Sequence, residues 1–202
     1  MDRSSDAKSC PSAEVVKLGG SLLSSPRLAD LLDVLARAGA PLVVVPGGGP
    51  FADAVRDIQP QLGLSDVAAH HMAILGMEQT ALALADIEPR LAACADPAAI
   101  SRAHSQGRAA LWQPALMTLS DTDLPTTWDV TSDSLAAWLA IALGAAQLTL
   151  IKSVPAIPAP DRWVADGLVD PYFPLISQHF TGAIRALTLE DALGNGLKAI
   201  AA

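Results

Sequence analysis

Four lysines occur in this 202-residue chain, and two of them, Lys17 and Lys152, stand at the ends of apolar runs, while Lys8 and Lys198 lie near the termini. An ammonium among valines and leucines is costly unless an opposite charge meets it, so two converging runs would bring two positive charges to one place. Just past Lys17 come Gly19, Gly20 and Ser21, and a second apolar run, PLVVV, leads to Gly47, Gly48 and Gly49. Glycine permits positive φ and close backbone approach, so successive N–H groups can point at one anion where a helix dipole also favours negative charge. Two such turns on neighbouring strands would make one phosphate cradle; the plainer reading of each is a tight turn.

A cradle of this kind needs strands that end at a common edge, and the hydrophobic pattern alternates strand and helix. Glu14 to Leu18 reads as a strand, Pro26 to Ala38 as a helix, Pro41 to Val45 as a second strand, and Phe51 to Ile58 as a helix opened by the second glycine cluster. Such a βαβα start predicts an α/β fold with a parallel sheet. A long helix follows from Asp66 to Ile87, with His70, Ile74, Met77 and Ala81 on one stripe and His71, Leu75, Glu78 and Leu82 on the next. Ala92 to Gln106 reads as helix with loops, and Ala109 to Trp112 as a short strand. Thr131, Ser132 and Asp133 look like the N-cap and first turn of an apolar helix stopped by Gly144. Gln147 to Ile151 is the next strand, a proline-rich loop follows, and a last helix is expected near Leu189 to Ala199.

Length and composition fit one domain over residues 13–202 behind a polar, flexible tail at 1–12 that lacks the apolar segment of a signal peptide, so a cytoplasmic protein is expected. A formal net charge of −8 argues against non-specific nucleic-acid or anionic-membrane partners, which require a basic surface. Cys10 and Cys94 alone provide neither a disulfide framework nor zinc spacing.

A Walker-type P-loop is excluded, since no lysine and serine or threonine follow the glycines in the required order. Gly47, Gly49 and Ala52 satisfy a loose dinucleotide pattern, but the acidic residue at the right distance, Asp66, starts a helix rather than ending a strand. The combination VVKLGGSLL, VVVPGGGPFADAVR, WDVTSDSLAAWLA and LTLIKSV accounts for more of the chain and resembles the amino acid kinase family, which includes acetylglutamate, aspartate, uridylate and isopentenyl phosphate kinases. The resemblance implies a three-layer αβα sandwich around a mostly parallel sheet, and an ATP-dependent phosphotransferase working with Mg²⁺ on a small-molecule phosphate acceptor. It assigns Lys17 to the transferring phosphoryl group, Gly19, Gly20 and Ser21 to ATP phosphates, Gly47, Gly48 and Gly49 to the acceptor, and Asp133 to holding the lysines. Lys152 falls at the nucleotide, Asp129 is a candidate for Mg²⁺, and a homodimer or larger ring is implied. Phosphoryl transfer asks for positioning and positive charge rather than a protein nucleophile, which suits these parts.

The chain departs from the family after Lys152, where Ser153 to Pro158 replace the usual nucleotide loop, and no late lysine accompanies Asp166, Gly167 and Asp170. Four stretches, GGGPFADAVR, His71 to Gln79, WDVTSDS and Val169 to Phe173, resemble a small branch tied to the furan core of methanofuran-type carriers. That resemblance implies an acceptor, an aminomethyl-furanmethanol phosphate, converted to its diphosphate. Glu78 or Asp170 could meet the acceptor's ammonium and His71 its phosphate, while His70 reads as a core-edge residue. Trp112, Trp128, Trp138 and Trp163 could stack on a ring, with Trp138 more naturally in the core. Two alternatives stand beside this: a kinase for another acceptor, such as a nucleoside monophosphate or a carboxylate, or a protein of the same fold that binds nucleotide or oxyanion without transferring phosphate.

Overall fold

The computed structural model describes residues 13–38 and 41–195. Six strands form its central sheet: β1 (Glu14–Leu18), β2 (Leu42–Pro46), β3 (Ala92–Cys94), β4 (Ala110–Trp112), β5 (Gln147–Lys152) and β6 (Ala183–Thr188). They lie in the order β3-β4-β2-β1-β5-β6, and every pairing is parallel. The glycine-ended strand β1 is therefore central, with β2 on one side and β5 on the other, so the segments carrying both glycine turns and Lys152 end together.

Among the described residues, eight α-helices connect and cover the strands: α1 (Leu28–Ala36), α2 (Gly49–Leu62), α3 (Asp66–Ile87), α4 (Pro97–Ser105), α5 (Ala115–Thr118), α6 (Ser132–Ala142), α7 (Phe173–Ser177) and α8 (Leu189–Asn195). Alternation along the strands sorts the core into two halves, because successive side chains point to opposite faces. Val15, Val43, Val45, Leu148 and Leu150 join Leu135 and Leu139 of α6 on one face. Val16, Leu18, Val44 and Ile151 join Leu31, Leu32 and Leu35 of α1 on the other. The result is the three-layer sandwich. The same alternation decides where the two lysines go: Lys17 lies two residues after Val15, and Lys152 two after Leu150, so both share the face covered by α6.

Three elements differ from the sequence expectation. Ala92 to Cys94 forms an edge strand rather than helix, since it pairs with β4 and only Asp96, whose side chain accepts from Ala99 N at 2.7 Å, starts the helix. Strand β6, whose exposed and half-buried positions at the other edge leave little apolar signal, pairs along all of β5. Helix α2 continues past Ile58 through Pro60 to Leu62 and stops at Gly63, which adopts φ 65°. The expected last helix is seen from Leu189 to Asn195; its remainder to Ala199, and the tail at 1–12, lie outside the described residues.

Helix α3 is apolar on more than one side. Ile74, Met77, Ala81 and Leu84 are buried, while Val67, Met72, Leu75 and Leu82 on other faces are exposed. Among the described residues no helix is long and apolar enough to cross a membrane.

Candidate active site

The two lysines meet on one carboxylate. Lys17 Nζ lies 2.9 Å from Asp133 Oδ1 and Lys152 Nζ 2.8 Å from the same atom, with the three side chains only 5%, 10% and 8% exposed in the order Lys17, Lys152, Asp133. Lys152 also donates to the Leu168 carbonyl. Asp133 stands in the first turn of α6, where unpaired N–H groups and the helix dipole favour a negative charge. Burial pushes its carboxyl up, but Lys17 and Lys152 together more than offset this and hold it below the usual range. Burial, joined by the repulsion of Lys17, brings Lys152 down to about 8, with Asp133 opposing. A charge balance of two ammoniums against one carboxylate leaves a net positive site beside the sheet's carboxyl edge, where ligands of open α/β sheets bind.

The glycine turns, which follow β1 and β2, press against one another. A Cβ built on Gly20 would stand 2.6 Å from Gly49 N, and one on Gly47 would stand 2.5 Å from Gly20 N, closer than real side chains approach. Only glycine allows the two backbones to touch, and the contact merges the two turns into one cradle. Gly49 itself adopts φ 50°, in the left-handed region. One expected donor is already engaged: Gly19 N donates to the Ile151 carbonyl at 3.0 Å, which fastens the turn to β5. Ser21 Oγ and Ser153 Oγ share a hydrogen bond of 2.7 Å, joining the first turn to the loop after Lys152.

Beside the cradle opens a cavity of about 420 Å³. Gly20, Ser21, Gly48 and Gly49 form its polar end, and Ala73, Ile74, Met77, Val130 and Leu135 supply an apolar wall. Thr131 and Ser132, at the start of the helix that carries Asp133, line it as well. Further polar residues of the lining are Asp53 and Arg56 of α2, His70 of α3, Ser24 and Trp128. The Arg56 guanidinium sits 4.4 Å from the centre of the Trp128 ring, and the indole N–H donates to Gln59 Oε1. Burial pushes the His70 imidazole below its ordinary value, a backbone hydrogen bond with Thr127 opposing and His71 adding to it, so His70 is neutral at neutral pH.

Several residues singled out from the sequence sit elsewhere. Asp170 accepts from Thr131 N, Thr131 Oγ1, Ser134 N, Ser134 Oγ and Phe173 N. It caps α6 from a distance, in place of the Thr131 side chain, and positions Asp133 without touching the cavity. Glu78 accepts from Ala115 N at 2.8 Å and tethers the start of α5. His71 lies outside the cavity lining, whereas His70, one residue round the helix, lines it. Trp112 is fully buried against Trp138, with ring centres 6.1 Å apart, and Trp163 packs on Phe173, so Trp128 is the tryptophan at the cavity. Asp129 is exposed and outside the lining. Among the described residues no group of three or more His, Cys, Asp or Glu is placed to hold a metal ion. In phosphoryl-transfer sites Mg²⁺ keeps several waters and is bound by substrate phosphates with one or two carboxylates, so it would require no such group.

Asp53 and Arg56 escaped the sequence reading, although both belong to the stretch GGGPFADAVR. Their signal was the spacing from Gly49: four and seven residues on, at helical period, they share the face that begins at the cradle.

Comparison with known proteins places these features in context. The family model described as amino acid kinase family matches residues 13–161. A curated relative from Methanocaldococcus jannaschii, named (5-(aminomethyl)furan-3-yl)methyl phosphate kinase, is 29% identical over 145 residues, covering 71% of this chain and 67% of the relative. The crystal structure of uridylate kinase from Archaeoglobus fulgidus superposes with a TM-score of 0.64 at 17% identity, over 91% of this chain and 94% of that one. UMP kinase from Ureaplasma parvum superposes with a TM-score of 0.69 at 14% identity, over 92% and 96%. At these identities the two structures speak to the fold alone.

Proposed function

The chain belongs to the amino acid kinase family and is a small-molecule kinase; from that premise we propose that it moves the γ-phosphoryl group of ATP onto a small phosphomonoester, making a diphosphate. The observation that carries this reading is the shared carboxylate oxygen: Asp133 Oδ1 fixes Lys17 and Lys152 side by side next to the glycine cradle. Two lysines held rigidly cost no reorganisation when charge builds up on the moving phosphoryl group, which is the form of catalysis this reaction rewards.

In this mechanism the acceptor's phosphate occupies the polar end of the cavity at Gly48 and Gly49. One of its oxygens attacks the γ-phosphorus in line, the bond to the β-bridging oxygen breaks, and ADP leaves with the electron pair. Lys17 neutralises the transferring group and Lys152 the nucleotide side. Gly20 N–H and the Ser21 hydroxyl, released from Ser153, donate to the nucleotide phosphates. Asp133 accepts no proton; it holds both ammoniums. Mg²⁺, brought with ATP, adds further charge neutralisation.

For the acceptor we take (5-(aminomethyl)furan-3-yl)methyl phosphate, the compound in the name of the Methanocaldococcus relative. The apolar wall of Ile74, Met77, Val130 and Leu135 between polar ends suits a small ring with a polar arm at each side. A homo-oligomer is part of the proposal, because Leu75 and Leu82 stand exposed on the outer side of α3. Incubation with ATP, Mg²⁺ and a panel of acceptors tests the assignment. The furanylmethyl phosphate is expected to be consumed; turnover of uridylate or an amino acid instead of it overturns this acceptor.

A further inference from the structure

We propose that Asp53 is the residue that recognises a cationic group on the acceptor, so that the site selects phosphomonoesters bearing an ammonium. This rests on the kinase reading and deepens it. Among the described residues Asp53 is the one carboxylate that lines the cavity. Asp133 is engaged by the two lysines, Asp170 by the start of α6, Glu78 by Ala115 N and Asp121 by the Trp138 indole N–H at 3.1 Å, while the exposed Asp57 and Asp129 lie outside the cavity lining.

Asp53 is not neutralised to the same degree. Its contact with Arg56 is a long 3.4 Å to Oδ1, between side chains 68% and 53% exposed, and such pairs are weak. The guanidinium is instead spread over the Trp128 ring, and Asp53 Oδ2 makes no hydrogen bond among the described residues. One acceptor oxygen therefore remains for a ligand.

Its position fixes the ligand's length. At 1.5 Å per residue, Asp53 lies about 6 Å along the helix from Gly49, where the acceptor's phosphate would sit. Ala52, Ala73 and Ile74, all small or apolar, line the same cavity. A molecule that fits has a phosphate at one end, a flat apolar middle, and a primary ammonium on a short arm at the other. A methyl in place of the ammonium would leave the carboxylate with water only, and an alcohol would offer it a single uncharged donor.

Calorimetric titration of the full chain with the aminomethyl-furanmethanol phosphate and with its twin carrying methyl in place of aminomethyl tests this. The wild type is expected to bind the amine about tenfold more tightly, the scale of one charge-assisted hydrogen bond. Asp53→Asn should abolish that preference while holding the twin's affinity within about twofold, and Asp53→Glu should retain part of it. Equal affinities in the wild type, no binding of either, or an equal loss for both ligands in Asp53→Asn, overturns the assignment. An intact preference without diphosphate formation would instead remove the acceptor reading and leave the ammonium site standing.

Discussion

Lys17 and Lys152, on adjacent parallel strands, approach the same oxygen of Asp133 at 2.9 and 2.8 Å. Neither charge could remain alone in so buried a place, and removing the shared partner strands both. Asp133→Asn is therefore expected to lower folding stability by about 3–5 kcal/mol at pH 7. The gap to wild type should narrow as pH rises and the orphaned Lys152, lowered already by burial, sheds its proton. Chemical denaturation at pH 7 and pH 9 measures this; an unchanged stability at both would show that the lysines find other partners.

Lys152 titrates at about 8, held there by burial and by Lys17. In the proposed mechanism its charged form serves the nucleotide phosphates, so kcat/KM should be full below about pH 8 and fall above it. Lys152→Arg, whose guanidinium keeps its proton, should move that limb upward by at least one pH unit at a lower maximal rate. The same lowered value acts oppositely on stability. Between about 8 and the ordinary lysine range the unfolded chain holds the extra proton, so this residue's contribution to stability rises with pH there. A pH–rate profile that stays flat to pH 10 would contradict the role given to Lys152.

The glycine contact predicts a position-specific intolerance. Gly20→Ala sets a methyl 2.6 Å from Gly49 N and must part the two turns, so kcat/KM should fall at least about 100-fold with the KM for both substrates affected. Gly194→Ala, whose added Cβ meets nothing within 4 Å, serves as a control and should leave the kinetics unaltered. Equal behaviour of the two variants would remove the cradle from the mechanism.

Leu75 is 46% and Leu82 60% exposed on the outer side of α3. If these residues pair copies of the chain, Leu75→Glu combined with Leu82→Glu should convert an oligomer to a monomer by light scattering. A wild type that is monomeric at micromolar concentration would refute this interface.

Much of the fold was legible in the sequence because β1, β2 and β5 are apolar on both faces, as strands covered by helices must be. Lys17, Asp133 and the two glycine turns were legible for a related reason, since charge and glycine stand out against such runs. Strand β6 and the edge strand β3 were not, because an edge of three residues, or one half exposed, carries little periodic signal. The roles of Asp170 and Glu78 were hidden for another reason. Each carboxylate serves a backbone N–H far along the chain, Ser134 N for Asp170 and Ala115 N for Glu78, and such pairings follow from tertiary packing alone. Asp53 was passed over because a single acid in a polar helix resembles any solvated surface residue until the cavity beside it is seen.

Phosphoryl transfer itself can be read by ³¹P NMR on the wild type and on Lys17→Met, each incubated with ATP, Mg²⁺ and aminomethyl-furanmethanol phosphate. The wild type is expected to convert the monoester signal to a diphosphate pair with matching release of ADP. Lys17→Met, verified as folded by circular dichroism, should be slower by about 100-fold or more, the scale on which removing a charge-stabilising donor acts. Absence of any phosphorylated product from the wild type across the acceptor panel, or an undiminished rate in Lys17→Met, would contradict a phosphotransferase built on the shared carboxylate.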